Sequence, residues 1–262
     1  MISGAAGGLG AALCRRFTAA GAGIAALDVD APKLSELETA LGAAGAKLLP
    51  LCGDICKPED CKSAVAATIA HFGALDVLVN NAGISHRSLL ADTDPDVIRR
   101  VMEVNFFGAL YLTRAALPHI VARRGAIAAI SSVAGFAPLV GRTGYAASKH
   151  ALHGFFDSLR GEVEAAGVTV TLVCPSFIRT GIGAAGLNGS GAAGNTPRIT
   201  TGGVSSPEDI AEKIFAAIAM NRSLLLPDRT SRMAWWLSRL MPRAYARIMK
   251  RRVGAEFPGL PS

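Results

Sequence analysis

The stretch Met1-Ile2-Ser3-Gly4-Ala5-Ala6-Gly7-Gly8-Leu9-Gly10 decides how the rest of this chain is read. Glycines at 4, 8 and 10 leave a backbone turn bare of side chains, and the residues after it, Ala11 to Ala20, follow a helical pattern. Next comes an apolar run, Gly23-Ile24-Ala25-Ala26-Leu27, closed by Asp28. A bare turn that opens a helix presents backbone N–H groups and the positive end of the helix dipole to an anion. A carboxylate at the end of the following strand suits vicinal hydroxyls, so turn and acid together describe a cradle for a dinucleotide. In a chain with 29 glycines the turn alone is weak; its context carries it. Only Met1 and Ile2 precede Ser3-Gly4, where a central strand would lie. A strand this short is expected to leave unpaired backbone groups on its neighbours, each costing about 1 to 3 kcal/mol when buried. The sequence is therefore expected to begin inside a longer reading frame, with a shortened strand that the fold tolerates as the alternative.

At 262 residues the chain is long enough for one large α/β domain. Half of the residues are hydrophobic, but no apolar run reaches the roughly 18 to 20 residues of a membrane span. The start lacks the basic residues and apolar core of a secretory signal, so a cytoplasmic location is expected. Five cysteines, an odd number, suit reduced thiols better than a disulfide framework. Cys52, Cys56 and Cys61 match no common zinc spacing, and no metal is expected.

Further apolar runs at Lys47-Leu48-Leu49-Pro50-Leu51, Leu75 to Val79, Ala126 to Ile130 and Val168 to Val173 read as buried strands. Between them, Val97 to Val121 and Ala146 to Glu164 repeat apolar residues at helical spacing. Alternating βα units require a mostly parallel sheet with helices on both faces. The expected organisation is an α/β dinucleotide-binding and catalytic domain over residues 1–225, followed by a basic amphipathic helical extension over 226–262. Gly181 to Gly203, rich in Gly, Ala, Asn and Thr, reads as a mobile loop.

Ser3-Gly4-Ala5-Ala6-Gly7-Gly8-Leu9-Gly10, Asn80-Asn81-Ala82-Gly83, Asn105, Ser132 and Tyr145-Ala146-Ala147-Ser148-Lys149 occur in the order and spacing of the short-chain dehydrogenase/reductase family, and the chain resembles that family up to about residue 220. The resemblance implies a single doubly wound Rossmann-type domain and an enzyme that moves a hydride between a nicotinamide ring and an alcohol or ketone carbon. Tyr145 and Lys149 stand one helical turn apart, so the ammonium can lower the phenol's pKa from its reference of about 10 and make Tyr145 the general acid/base. Ser132 would hydrogen-bond the reacting substrate oxygen, with Ser131 structural. By resemblance, Asn105 anchors a water that links Lys149 to solvent, and Lys149 also holds the nicotinamide ribose. Gly4, Gly8, Leu9 and Gly10 would face the pyrophosphate, Asp28 the adenosine ribose, and Asp54 and Ile55 the adenine edge. Asn81, Ala82 and Gly83 would pack beside the cofactor, and Pro175, Ile178 and Thr180 would grip the nicotinamide side. Ser176 stands where the family usually has glycine, which puts the backbone freedom of that position in doubt.

Asp28 and Asp30 at the end of the second strand would repel an adenosine 2′-phosphate, so NAD is expected over NADP; Arg15 and Arg16 are the contrary charges and read as surface residues. The substrate is expected to be a lipophilic secondary alcohol or its ketone. The alternative is a catalytically silent dinucleotide-binding sensor or scaffold at a membrane surface. His86 reads as a solvent-facing loop residue, and His150 and His153 as a helix-helix contact. A homo-oligomer is expected through the Val97 to Val121 and Ala146 to Glu164 helices. The chain has a formal net charge of +7, yet Arg229 to Arg252 alone carries eight basic residues and no acid, so its basicity is local. Apolar Met233, Leu237, Met241, Tyr245 and Ile248 form a stripe there, split by Pro242, and both tryptophans, Trp235 and Trp236, lie in the segment. An anionic membrane surface is the expected partner of this segment; a lid over the substrate pocket or an oligomer contact is the alternative. Nucleic acid is not expected.

Overall fold

The computed structural model describes residues 1–43, 45–179, 186–194, 203–253 and 256–257. Strands β1 (Ile2–Ser3), β2 (Ile24–Asp28), β3 (Leu48–Cys52), β4 (Val77–Asn80), β5 (Ala126–Ile130) and β6 (Thr169–Val173) alternate with helices α1 (Gly8–Ala19), α2 (Ala31–Gly42), α3 (Pro58–Phe72), α4 (Pro95–Met102), α5 (Gly108–Arg123) and α6 (Thr143–Val163). Beyond them come β7 (Phe177–Ile178), β8 (Val204–Ser205), α7 (Pro207–Ala219), β9 (Leu224–Leu225), α8 (Arg229–Leu240) and α9 (Pro242–Val253). Seven strands form one parallel sheet in the order β3-β2-β1-β4-β5-β6-β9; β7 and β8 form a separate parallel pair. The sheet is therefore the doubly wound parallel type expected from the alternating runs. The strand order reverses between β1 and β4, and the crevice at the carboxyl ends of these strands is where such a sheet binds ligands.

Strand alternation divides the core. Ile24 and Ala26 point to one face and pack with Leu13 and Phe17 of α1, Leu34 and Leu37 of α2 and Ile210 and Ile214 of α7. Ala25 and Leu27 point to the other, against Val65 of α3, Leu112 and Ile120 of α5 and Phe156 of α6. Each fully buried Leu, Ile or Phe contributes about 1.5 to 3 kcal/mol relative to exposure. The helical run Val97 to Val121 lies within α4 and α5, which join through a five-residue π-helical turn, Glu103–Phe107. A smaller third core forms where Ala234 of α8 and Tyr245, Met249 and Val253 of α9 close on Ala137, Phe136 and Leu139.

The short first strand does not leave the expected orphans. Ile2 pairs with Ala26 on one side and Val79 on the other. Hydrogen bonding continues beyond the strand: the Met1 amino group donates to Val77 O at 2.8 Å, Val79 N donates to Met1 O at 2.9 Å, and Ala5 N donates to Leu27 O at 3.2 Å. Side chains complete the join. Buried Ser3 Oγ accepts from Asn81 N and from Ala82 N, both at 3.1 Å, while Asn81 Nδ2 donates to Ser3 O at 2.9 Å and Gly4 O at 3.0 Å. The flanking backbone and this brace extend the pairing beyond the two residues of strand geometry.

Replacing Ser3 with Ala removes the acceptor of two part-buried N–H groups. Ser3→Ala is expected to lower unfolding free energy by about 2 to 4 kcal/mol. Denaturant titration checks this, and a loss below about 0.5 kcal/mol, the usual range for an inconsequential surface change, would show that the brace carries little.

Candidate active site

One cleft of about 1150 Å³ runs across the carboxyl ends of the strands, from Asp28 at one end to Tyr145 and Lys149 at the other. Gly4, Gly8, Leu9, Gly10, Asp54, Ile55, Asn81, Ala82, Gly83, Ser132, Pro175 and Ile178 all line it. Thr180 lies outside the described residues.

The turn needs its glycines. Gly4 sits at φ +61°, and a Cβ there would come within 2.7 Å of Ala82 Cα. At Gly10 a Cβ would lie 2.0 Å from Gly4 O, so only glycine lets α1 start this close to the turn. Helix α1 begins at Gly8 behind Gly7, with no side-chain cap and no acid in its first turn. Its leading N–H groups and dipole are left for an anion at the cleft floor, which fits a dinucleotide pyrophosphate. The Asp28 carboxylate is fixed at the end of β2, accepting from Ala6 N at 2.9 Å and Asp30 N at 3.1 Å. Arg15 and Arg16 point elsewhere: Arg15 pairs with Glu208 at 3.3 Å, Arg16 pairs with Glu212, and both partners belong to α7. Asp54 Oδ1 accepts from Cys56 N at 2.9 Å, and Ile55 is buried against the position of Gly108.

Tyr145 stands in the first turn of α6 and Lys149 one turn later, with Lys149 Nζ 5.7 Å from the centre of the Tyr145 ring. Lys149 is only 4% exposed, and its Nζ donates to Ile130 O at 2.8 Å. Burial pushes its ammonium down from 10.5 to about 8. Ser132 precedes a short 3₁₀ turn, Val133–Gly135, and its Oγ accepts from Ala134 N at 3.2 Å. Ser131 donates to Lys149 O at 3.2 Å, the structural part expected of it.

Asn105 lies inside the π-helical turn, a geometry recurrent at functional sites. Its Oδ1 accepts from Ile84 N at 2.8 Å; its Nδ2 donates to Ile84 O at 3.0 Å and Ser148 Oγ at 2.9 Å. Ser148 in turn donates to Tyr145 O at 2.8 Å. The side chain thus ties the wall after β4 to the helix turn that carries the phenol. Ser148 is a positioning residue that the sequence reading quoted without assigning a role.

Ser176 takes no positive φ; among the described residues the non-glycine residues that do are Arg124 and Asn221. Glycine's freedom is not used at this position. Instead Asp228, the N-cap of α8, accepts from Ser176 N at 3.0 Å, Ser176 Oγ at 2.8 Å and Ser231 N at 2.8 Å. The serine therefore couples the loop after β6 to the carboxy-terminal helices, whose Met233, Leu237, Tyr245 and Ile248 form an apolar wall of the cleft. The wall matches the alternative stated for this segment, an apolar face over the substrate pocket; Asp228 was not foreseen, and its reciprocal cap with Ser231 was the available signal.

The structure revises the loop expectations. His86 is not solvent-facing: its ring is wholly buried beside Ile98 and Gly144, with neither nitrogen hydrogen-bonded among the described residues. Burial, and the Arg142 charge after it, lower its pKa. His153 packs beside Gly135 and edge-on to Phe136 and lies 3.4 Å from Cys174 Sγ, and His150 bonds its own helix at Ala146 O. Burial lowers His153 to about 4 and raises Cys174 to about 12, so this pair is neutral and inert. Within the expected mobile loop, residues 186–194 are held by backbone bonds from Leu187 N to Ser85 O and from Arg87 N to Leu187 O, both 2.8 Å. Most of the rest of that loop lies outside the described residues.

A parallel sheet with a glycine turn at its switch point and a Ser-Tyr-Lys group across the cleft defines a nucleotide-dependent oxidoreductase of the doubly wound class. The profile described as "short chain dehydrogenase" matches residues 1–188. The chain is 38% identical over 264 residues to the Bos taurus protein "Dehydrogenase/reductase SDR family member 7B", covering 98% of this chain and 81% of that one. Among solved structures it resembles a Mycobacterium paratuberculosis short chain dehydrogenase bound to NAD at a TM-score of 0.74 and 27% identity, covering 83% of this chain and 89% of that one. A Burkholderia phymatum short chain dehydrogenase/reductase, solved in complex with NAD, shares the fold at a TM-score of 0.78 and 24% identity over 100% of this chain and 95% of its own. The protein belongs to the short-chain dehydrogenase/reductase family and is an oxidoreductase of that family.

The Asp228 clamp generates a test. Asp228→Ala removes three hydrogen bonds to one carboxylate, including the cap of α8, and is expected to destabilise the protein by about 2 kcal/mol or more. Equilibrium unfolding of the variant checks it; wild-type stability would show that α8 docks without the clamp.

Proposed function

We propose that this chain is an NAD-dependent dehydrogenase/reductase that interconverts a lipophilic secondary alcohol and its ketone. The observation that carries the reading is the opening of one cleft onto the glycine turn, Ser132, Tyr145, Lys149 and an apolar wall from α8 and α9. A bound nicotinamide cofactor would supply hydride acceptance and donation. In alcohol oxidation Tyr145 takes the hydroxyl proton as a hydride leaves the same carbon, and in ketone reduction it returns that proton. The Lys149 charge stabilises the phenolate form, and the Ser132 hydroxyl holds the substrate oxygen in both states. Asn105 keeps Ile84 and α6 fixed beside Lys149, the side from which a relay water would reach solvent.

Gly4, Gly8, Leu9 and Gly10 would hold the pyrophosphate, Asp28 the adenosine ribose, and Asp54 and Ile55 the adenine. Asn81, Ala82 and Gly83 would flank the cofactor, Lys149 the nicotinamide ribose, and Pro175, Ile178 and Thr180 the carboxamide. The preference for NAD is supported by the fixed Asp28 carboxylate, by the engagement of Arg15 and Arg16 with α7, and by the NAD-bound structural relative. Homo-oligomer assembly is supported by aromatic surface shared between the π turn, α5 and α6, where Phe107 stacks on Tyr111 and Phe106 meets Phe155 edge-on.

The test is turnover of a panel of lipophilic secondary alcohols and ketones with each cofactor. Tyr145→Phe is expected to lower kcat at least about a hundredfold with NADH affinity retained, and wild-type kcat/KM is expected to be higher with NAD than with NADP. Unchanged turnover in the variant would overturn the acid/base assignment, and a preference for NADP would overturn the cofactor.

A further inference from the structure

The apolar stripe of the carboxy-terminal helices divides into two surfaces. Tyr245 and Met249 are buried in the third core, and Leu237 is half-buried in the cleft wall. The remaining large apolar residues are left in solvent: Met233, Trp236, Leu240 and Met241 are 60%, 62%, 72% and 53% exposed. On α8 Met233, Trp236 and Leu240 share one face by their three- and four-residue spacing, and Arg229 falls on that face with Arg232 beside it. Met233 of α8 and Ile248 of α9 line the cleft as well as meeting solvent, so the exposed patch is continuous with the cleft mouth.

The charge around this patch has one sign. Arg229, Arg232, Arg239, Arg243, Arg247, Lys250, Arg251 and Arg252 lie on the two helices, and among the described residues none of the eight forms an ion pair. A second copy of this chain would bring the same eight charges against them and would require like-charge contact across the interface. Nucleic acid would satisfy the arginines but leave Met233, Leu240 and Met241 in water. An anionic bilayer satisfies both sets, since headgroups meet guanidinium groups while Trp, Leu and Met enter the interface. No helix among the described residues is long and apolar enough to cross a membrane.

We infer that the exposed face of α8 and α9 docks on an anionic lipid surface and holds the cleft mouth against the bilayer. The docking itself does not depend on the catalytic reading; only its consequence, uptake of a lipophilic substrate from the membrane, rests on it. Each basic residue near an anionic leaflet strengthens binding by about fivefold.

Co-sedimentation reads the surface without reading activity. Wild-type protein is expected to pellet with phosphatidylcholine vesicles containing about one third phosphatidylserine, to stay in solution with phosphatidylcholine alone, and to be released at high salt. The only two tryptophans both lie on α8, so their emission should shift to the blue on binding. Arg243→Glu/Arg247→Glu and Trp236→Glu/Leu240→Glu, all at exposed positions outside the cleft, are each expected to weaken vesicle partition at least about tenfold while melting temperature and NADH affinity stay at wild-type values. Wild-type protein that remains in solution with the phosphatidylserine vesicles, or pellets equally with neutral ones, overturns the proposal. Conversion of a larger assembly to a smaller one by Trp236→Glu/Leu240→Glu, seen by light scattering, assigns the face to a second copy and also overturns it. The lipid and salt dependence of the wild type decides the matter even if a variant fails to fold. Loss of turnover with vesicle binding intact would instead count against the catalytic reading alone.

Discussion

The brace between Ser3 and Asn81 is the contact on which the site depends. The sheet's central strand has two residues, and the cofactor crevice opens at its end, so any play between β1 and β4 would pass directly to the glycine turn. Ser3 Oγ accepts two N–H groups from the end of β4, and the Asn81 amide returns two bonds to Ser3 O and Gly4 O. The turn is thereby held to the end of β4 by side chains as well as by backbone pairing. Gly4 can approach Ala82 this closely because it has no Cβ.

The catalytic end has a different constraint. A lysine with 4% exposure costs roughly 3 kcal/mol in its charged form when its pKa falls from 10.5 to about 8, and its one recorded bond is to the carbonyl of Ile130. Among the described residues no carboxylate pairs with it, and in the proposed mechanism its charge would act on a Tyr145 phenolate and on ribose hydroxyls. The chain from Asn105 to Ser148 to Tyr145 O fixes the helix turn that carries both groups. In the proposed mechanism, these buried hydrogen bonds and the Lys149 charge would serve one end, proton transfer at Tyr145.

Much of this was legible in the sequence. Periodicity located β2 to β6 within a residue or two, because buried parallel strands are continuous apolar runs, and it located α4 to α6 by their helical stripes. Apart from Asn105, which does not line the cleft, and Thr180, which lies outside the described residues, the residues expected at the cleft line it, because their spacing places them at successive strand ends and on the first turns of α1 and α6. The π turn around Asn105 was not legible: it inserts into an unbroken helical pattern without a change in composition. The burial of His86 was equally hidden, since it depends on Ile98, Gly144 and the loop at Leu187 converging from distant parts of the chain. Ser176 was noticed as a departure, but its meaning required Asp228, fifty-two residues away, to arrive at hydrogen-bonding distance. The amphipathic stripe of α8 and α9 was visible as one surface, whereas packing splits it between a cleft wall and solvent.

The central claim is that a single cleft holds the cofactor extended from Asp28 to Lys149 with its reactive carbon beside Tyr145. A crystal structure of the protein with NAD and a substrate ketone analogue tests this most directly. The account predicts the adenosine ribose on the Asp28 carboxylate, the pyrophosphate at the amino end of α1, the nicotinamide ribose on Lys149 Nζ, and the ketone oxygen within hydrogen-bonding distance of both Tyr145 and Ser132. A dinucleotide bound in the reverse sense, or a ketone oxygen held away from Tyr145, would contradict it.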